Sequence, residues 1–177
     1  NYFAAVKIKG NNIIMRTFAS FLPVPFLSLI IEDCIKNARD YNDGGARYNN
    51  SYIQRVGLGS VTDILTSIRY NIYDRKTLTW DEMIKATDAD FEGFEDIQRD
   101  LIYNTPKYGN DDDYADQHAV AVFEIFHDAV NGKPDSRGGV HRINMLPTTS
   151  HVYFGSVTGA TADGRKARKP LSEGISP

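Results

Sequence analysis

Cysteine is nearly missing from this 177-residue chain. Cys34 stands alone, so no internal disulfide can form, and a reducing, cytoplasmic setting is the expectation. Long apolar runs are missing too. The longest, residues 21–31, is interrupted by Pro23, Pro25 and Ser28, well short of the ~20 apolar residues that span a bilayer. No membrane partner is expected. An excess of either charge is also lacking, with 20 Lys+Arg against 23 Asp+Glu and a net charge of −3. Residues 81–116 are acidic and 133–169 basic, and both read as solvated faces. The basic run at 165–169 has no aromatic neighbour and lies between Gly164 and Pro170, so no nucleic-acid partner is expected. Metal-ligand spacing is absent as well. His118, His127, His141 and His151 form no pair, and Asp111-Asp112-Asp113 lacks the alternation of a calcium loop. No metal site is expected.

What is present is a globular composition, 41% hydrophobic and 24% charged, of a size that fits one domain or part of a larger one. Residues 1–20 are amphipathic, and Gly10-Asn11-Asn12 in their middle predicts a bend. Pro25 suits the start of a helix over 26–39 whose buried stripe is Leu27, Ile30, Ile31, Cys34 and Ala38. Cys34 then reads as a small core residue, since nothing near it in sequence would activate a nucleophile. A turn-rich loop over 40–50 leads to a strand at 52–56. Ser60 is the expected N-cap of the next helix, with Asp63 at N3 and Val61, Ile64, Leu65, Ile68 and Ile72 on its buried face. Thr79 and Glu82 form a capping box for a helix to about residue 89. A helix over 94–103 should turn Phe94, Ile97, Leu101 and Ile102 inward. The acids at 111–113 open a long helix that Gly132 stops. A strand and its following loop occupy 143–153, and the remainder is mostly loop.

Strand–helix alternation makes the fold class α/β, with too few strands to close a sheet. The start at Asn1 without methionine, already mid-structure, and the uncharged end point to a fragment of a longer polypeptide. Gly57-Leu58-Gly59-Ser60 is open to two readings, a phosphate cradle at a helix N-terminus or a tight strand-to-helix turn. Thr62 stands where a dinucleotide fingerprint would have its third glycine. Asn49-Asn50-Ser51 fits the glycosylation pattern, but nothing else suggests secretion.

Several blocks, in order along the chain, resemble the glycyl radical enzymes related to pyruvate formate-lyase. They are Gly44-Gly45-Ala46-Arg47-Tyr48-Asn49, Gly57-Leu58-Gly59-Ser60-Val61-Thr62-Asp63 and Thr105-Pro106-Lys107-Tyr108-Gly109-Asn110. Met145-Leu146-Pro147-Thr148-Thr149-Ser150-His151, Asp163-Gly164-Arg165 and Gly174-Ile175-Ser176-Pro177 complete the set. Their wording is most similar to the dehydratase and lyase branch, such as hydroxyproline and glycerol dehydratases. Pyruvate formate-lyase activity, or a stand-alone anion- or nucleotide-binding module, is the alternative.

The resemblance implies a helix-rich part of a ten-stranded β/α barrel, with residues 1–177 forming a partial pyruvate formate-lyase-like domain. It implies a protein glycyl radical installed by an activating enzyme that uses S-adenosylmethionine and an iron–sulfur cluster. It also implies a cysteine thiyl, a small polar substrate and a homodimer. Neither the Gly-Cys-x-Glu motif nor the radical-glycine motif occurs in this sequence, so both are expected outside it and no catalytic residue is assigned here. No cofactor is expected to bind the segment itself, which alone should be inactive. On the resemblance, Thr148, Thr149 and Val152 are the substrate-binding candidates, with the two threonines on a barrel strand.

Overall fold

The computed structural model describes residues 2–176. In chain order these form α1 (Tyr2–Phe21), α2 (Pro25–Leu29), α3 (Glu32–Lys36), β1 (Ser51–Gln54), α4 (Leu58–Ile68) and a π-helical segment (Arg69–Asp74). There follow α5 (Trp80–Asp88), α6 (Glu95–Tyr103), α7 (Asp113–Val130), β2 (His141–Asn144) and α8 (Ser150–Ser156). The strand–helix order of the α/β expectation is present at β1–α4 and β2–α8, and β1 pairs with β2. Two compact units divide the chain, one of residues up to Ile53 with Ile125–Asn144, the other of Gln54–Glu124 with residues from Met145 onward.

In the first unit α1 runs unbroken through Gly10, against the expected bend. One glycine costs only ~1 kcal/mol, too little to end a 20-residue helix. Asn12 is fixed by tertiary partners: its Nδ2 donates to the Pro134 carbonyl at 3.3 Å, and its Oδ1 lies 3.1 Å from His141 Nε2. The helix expected over 26–39 is two short ones, because Ile31 is extended at φ −106°, ψ 111°. Asp40 holds the start of α2 by accepting from the Val24 amide at 2.9 Å and the Ser28 hydroxyl at 2.7 Å. With the helix broken, the expected stripe fails. Ile30 is 69% exposed, and of the five residues only Cys34 is buried.

Residues 133–140 form a tight hairpin closed by His141 N–H to the Lys133 carbonyl. Asp135 organises it, accepting from the amides of Arg137 and Gly139 and from Ser51 Oγ at 2.7 Å. Burial alone would push the Asp135 carboxyl up, but these bonds outweigh it and hold the group below its ordinary value.

In the second unit Gly57, at φ +81°, is the N-cap of α4, so the helix begins two residues before the expected Ser60 cap. The buried face of α4 combines Leu58 and Gly59 at its start with polar residues further on. Thr62, Thr66 and Ser67 are enclosed, and Ser67 Oγ donates to the Ala162 carbonyl at 2.6 Å. Val61, Ile64 and Ile68 are only half-buried and Leu65 is exposed. The Thr79–Glu82 capping box forms as its sequence requires. Met83, Ala86, Phe91 and Leu101 make the core, with Phe94 and Ile97 packed on it. Ile102 is exposed, yet its side chain abuts Gly164. Asp112 caps α7 by accepting from the Tyr114 amide, and Gly132 follows the helix at φ +77°.

Candidate functional site

The candidate residues sit on a turn and the first helical turn after it. Residues 145–148 have no regular structure, Thr149 is the N-cap of α8 at φ −83°, ψ −4°, and Val152 is in the helix. The barrel-strand placement of Thr148 and Thr149 is therefore corrected, because β2 ends at Asn144. Pro147 has no amide hydrogen to extend a strand ladder, and the Ser150 amide turns back to Thr148 Oγ1 at 3.3 Å. With two hydroxyls in a turn, the alternation of a strand no longer decides which of them looks inward.

The three candidates differ in what their side chains can do. Thr148 is half-buried, and its oxygen already accepts from Ser150. A hydroxyl that accepts still has its own hydrogen to give, so Thr148 can donate to a substrate oxygen. Thr149 is exposed and makes no side-chain capping bond. Val152, 50% exposed, follows three positions later, where helical geometry sets it beside Thr149. Thr149 and Val152 thus share a polar-plus-apolar face of the kind that small-molecule pockets use.

Gln54, which the sequence marks as a packing or interface residue rather than a substrate contact, holds this turn in place together with Gly174, Gly155 and His151. Gln54 Nε2 donates to the Leu146 carbonyl. Gly174 lies so tightly on the Met145 and Leu146 carbonyls that a Cβ there would overlap them. Gly155 in α8 is pressed against the backbone of residues 169–171 in the same way. His151 Nδ1 is 2.5 Å from the Thr148 carbonyl, and the His151 carbonyl accepts from the Leu171 amide at 3.3 Å. Single glycines at 155 and 174 were the available signal for these close approaches.

The 159–169 loop beside these residues is tied by Arg165. Its guanidinium donates to the carbonyls of Gly159, Lys166 and Lys169, and to Thr161 Oγ1. Lys107 Nζ donates to the Asp163 carbonyl at 2.9 Å, and Asp63 accepts from the Tyr108 amide at 2.8 Å. Burial lowers the Lys107 ammonium and raises the Asp63 carboxyl, with each one's charge partly offsetting the other's shift.

The Gly57–Ser60 turn holds no anion cradle. The Gly57 amide donates to the Ser172 carbonyl at 2.9 Å and the Ser60 amide to Ser172 Oγ at 2.8 Å, so the chain itself occupies these donors. Gly59 allows this approach, since a Cβ would come within 3.0–3.1 Å of Ser176 and Ser172. Among the described residues no three His, Cys, Asp or Glu side chains group to hold a metal ion. None of the described helices is long and apolar enough to cross a membrane.

Comparison with known proteins decides the family. The pyruvate formate lyase-like family model matches residues 1–155. The chain belongs to that family. It is 49% identical over 177 residues to a trans-4-hydroxy-L-proline dehydratase of Clostridioides difficile, covering 100% of this chain and 22% of that protein. A crystal structure of hydroxyproline dehydratase from the same organism, with trans-4-hydroxy-L-proline bound, matches at a TM-score of 0.94 over 99% of this chain and 22% of that one. The glycerol-bound B12-independent glycerol dehydratase from Clostridium butyricum matches at 0.90 with 38% identity, over 99% of this chain and 22% of that one. This family segment therefore spans about a fifth of the length of the curated relatives it matches. These neighbours also support the α/β class of the fold.

Proposed function

We propose that this chain is the part of a glycyl radical dehydratase or lyase that contributes barrel wall and one side of a pocket for a small hydroxylated metabolite. The observation that carries the reading is the match at 49% identity and a TM-score of 0.94, over nearly the whole chain, to a dehydratase crystallised with its hydroxylated substrate. In this reading the full-length protein closes a ten-stranded barrel, and residues 1–177 are a partial pyruvate formate-lyase-like domain. The glycyl radical, installed by a partner enzyme using S-adenosylmethionine and an iron–sulfur cluster, and the cysteine it activates supply the hydrogen-atom chemistry from outside this segment. The full-length enzyme would work as a cytoplasmic homodimer.

The segment's own residues bind and orient. Thr148 donates its spare hydroxyl hydrogen to a substrate oxygen while its oxygen stays bound to the Ser150 amide. Thr149 supplies a second hydroxyl, and Val152 the apolar wall that excludes water. Enclosure suits radical chemistry, which must be kept from stray water and oxygen.

The test is anaerobic activation of the full-length protein, with product analysis for trans-4-hydroxy-L-proline and glycerol as separate substrates. Dehydration of one of them, accompanied by a glycyl-type electron paramagnetic resonance signal, is expected. Absence of the radical signal and of product from both would overturn the reading. The 177-residue chain alone should give neither.

A further inference from the structure

We propose that His151 is a positioning residue that fixes Thr148 for substrate through its Nδ1–H. The inference rests on the proposed placement of Thr148 at the substrate. His151 Nδ1 lies 2.5 Å from the Thr148 carbonyl oxygen. A carbonyl can only accept, so the hydrogen in this bond must be on Nδ1. The main chain of His151 is anchored independently, its carbonyl accepting from the Leu171 amide at 3.3 Å. The imidazole is thus a strut between a fixed point and the one peptide unit whose position sets the Thr148 hydroxyl.

The neighbouring contacts explain why a strut is needed. Gln54 and Gly174 fix the turn at Met145 and Leu146, upstream of Pro147. Pro147 can donate no hydrogen bond, and Ser150 reaches Thr148 only through a long 3.3 Å bond to the side chain under discussion. The 148–149 peptide has no other side-chain partner among these contacts. Its short bond to His151 is the strongest geometric restraint on it. A misplacement of about 1 Å is enough to cost a pocket hydroxyl its alignment and the enzyme up to about a hundredfold in rate.

Two amide substitutions separate the nitrogens, because asparagine sets its NH2 where Nδ1 lies and glutamine where Nε2 lies. In the activated full-length enzyme, with trans-4-hydroxy-L-proline and glycerol as the probes, His151→Gln and His151→Phe should each lower kcat/KM about tenfold, chiefly through KM, equal to ~1.4 kcal/mol. His151→Asn should recover activity to within about threefold of the parent. The Thr148→Val/His151→Gln double variant should be little worse than Thr148→Val alone, since the histidine acts through that threonine. Hydrogen exchange of the peptide over 146–153 gives an arm that needs no substrate, with faster exchange expected in His151→Gln and parental exchange in His151→Asn. Equal behaviour of the Asn and Gln variants in exchange overturns the proposal, whichever substrate the enzyme takes. Loss of turnover in all three single variants overturns it too, by assigning the role to the ring rather than to Nδ1–H. If neither probe is turned over by the parent while exchange separates Asn from Gln, the strut stands and the substrate reading fails.

Discussion

Replacing Thr148 by valine tests the candidate site most directly, because one hydroxyl holds the Ser150 amide and is proposed to hold the substrate as well. Valine keeps the branched shape, so packing of the half-buried side chain survives. It removes the acceptor of the Ser150 amide and the hydroxyl hydrogen proposed to reach the substrate. The turn bond is long at 3.3 Å, so its loss belongs at the low end of the hydrogen-bond range, ~0.5 kcal/mol. A substrate bond in an enclosed pocket belongs near the high end, ~1.4 kcal/mol, which lowers kcat/KM about tenfold. Thr149→Val makes the contrast. Its hydroxyl forms no cap, so its removal should leave exchange at the start of α8 unchanged and show only in kinetics. Thr148→Ser retains the hydroxyl and should stay within about threefold of the parent, the spread that a lost methyl contact of under 1 kcal/mol produces. Steady-state kinetics on the activated full-length enzyme, with hydrogen exchange of residues 146–153, reads both effects. Parental kinetics and parental exchange in Thr148→Val would refute the reasoning, removing Thr148 from pocket and turn alike.

Three further outcomes follow from packing and titration. Gly155→Ala should destabilise by about 2 kcal/mol, because its Cβ would lie 2.6 Å from Pro170 Cα, whereas Gly159→Ala meets open space and should be near neutral; denaturant melts of both decide this. His141 is fully buried, and burial holds its imidazole below the ordinary value against a smaller upward pull from Asp135. Above about pH 6.5 neither folded nor unfolded chain protonates it, and below that the unfolded chain takes the proton first, so stability should fall on acidification. His118 shifts the same way, first by burial and then by Arg69, so the measure is the shallower acid slope of His141→Gln relative to the parent. Cys34, only 3% exposed and with its thiol pushed up by burial and then by Asp40 and Asp33, should resist thiol reagents in the native state. Labelling at the rate of a free cysteine, located by peptide mapping, would contradict its place in the fold.

Legibility in the sequence followed the range of the forces involved. The Thr79–Glu82 box and the stop at Gly132 depend on residues within one turn, and both form as their sequence dictates. The family blocks were legible for a different reason, since a resemblance spans the whole chain regardless of local propensity. Hydrophobic periodicity failed at α4, where Thr62, Thr66 and Ser67 are buried with Leu58 and Gly59 in place of the expected apolar stripe. Periodicity says which face gains from burial, but Ser67 is enclosed by a specific bond to Ala162, 95 residues away. The helix over 26–39 failed similarly. Its break at Ile31 accompanies Asp40 clamping Val24 and Ser28, a contact that helix propensity cannot register.

The threonine turn shows what such long-range contacts accomplish. A pocket hydroxyl must be held to within a fraction of an ångström, and regular structure ordinarily provides that precision. Residues 145–148 have none, yet the turn is fixed at its start by Gln54, 92 residues from Leu146, and by the close approach of Gly174. Downstream, Gly155 lets residues 169–171 press on α8, and Leu171 binds the His151 carbonyl. The long-range partners of this turn therefore come from β1 and from the tail around Leu171 and Gly174, and Ser150 and His151 add local bonds to Thr148. That division explains why the strand expectation gives way: Pro147 denies the strand its ladder, and bonds to backbone carbonyls, a long-range one from Gln54 and a local one from His151, supply the rigidity a strand would have given. The same tail segment is tied to the start of α4, where Ser172 bonds Gly57 and Ser60, so its residues on either side of Ser172, Leu171 and Gly174, reach the candidate turn from an anchored stretch of chain.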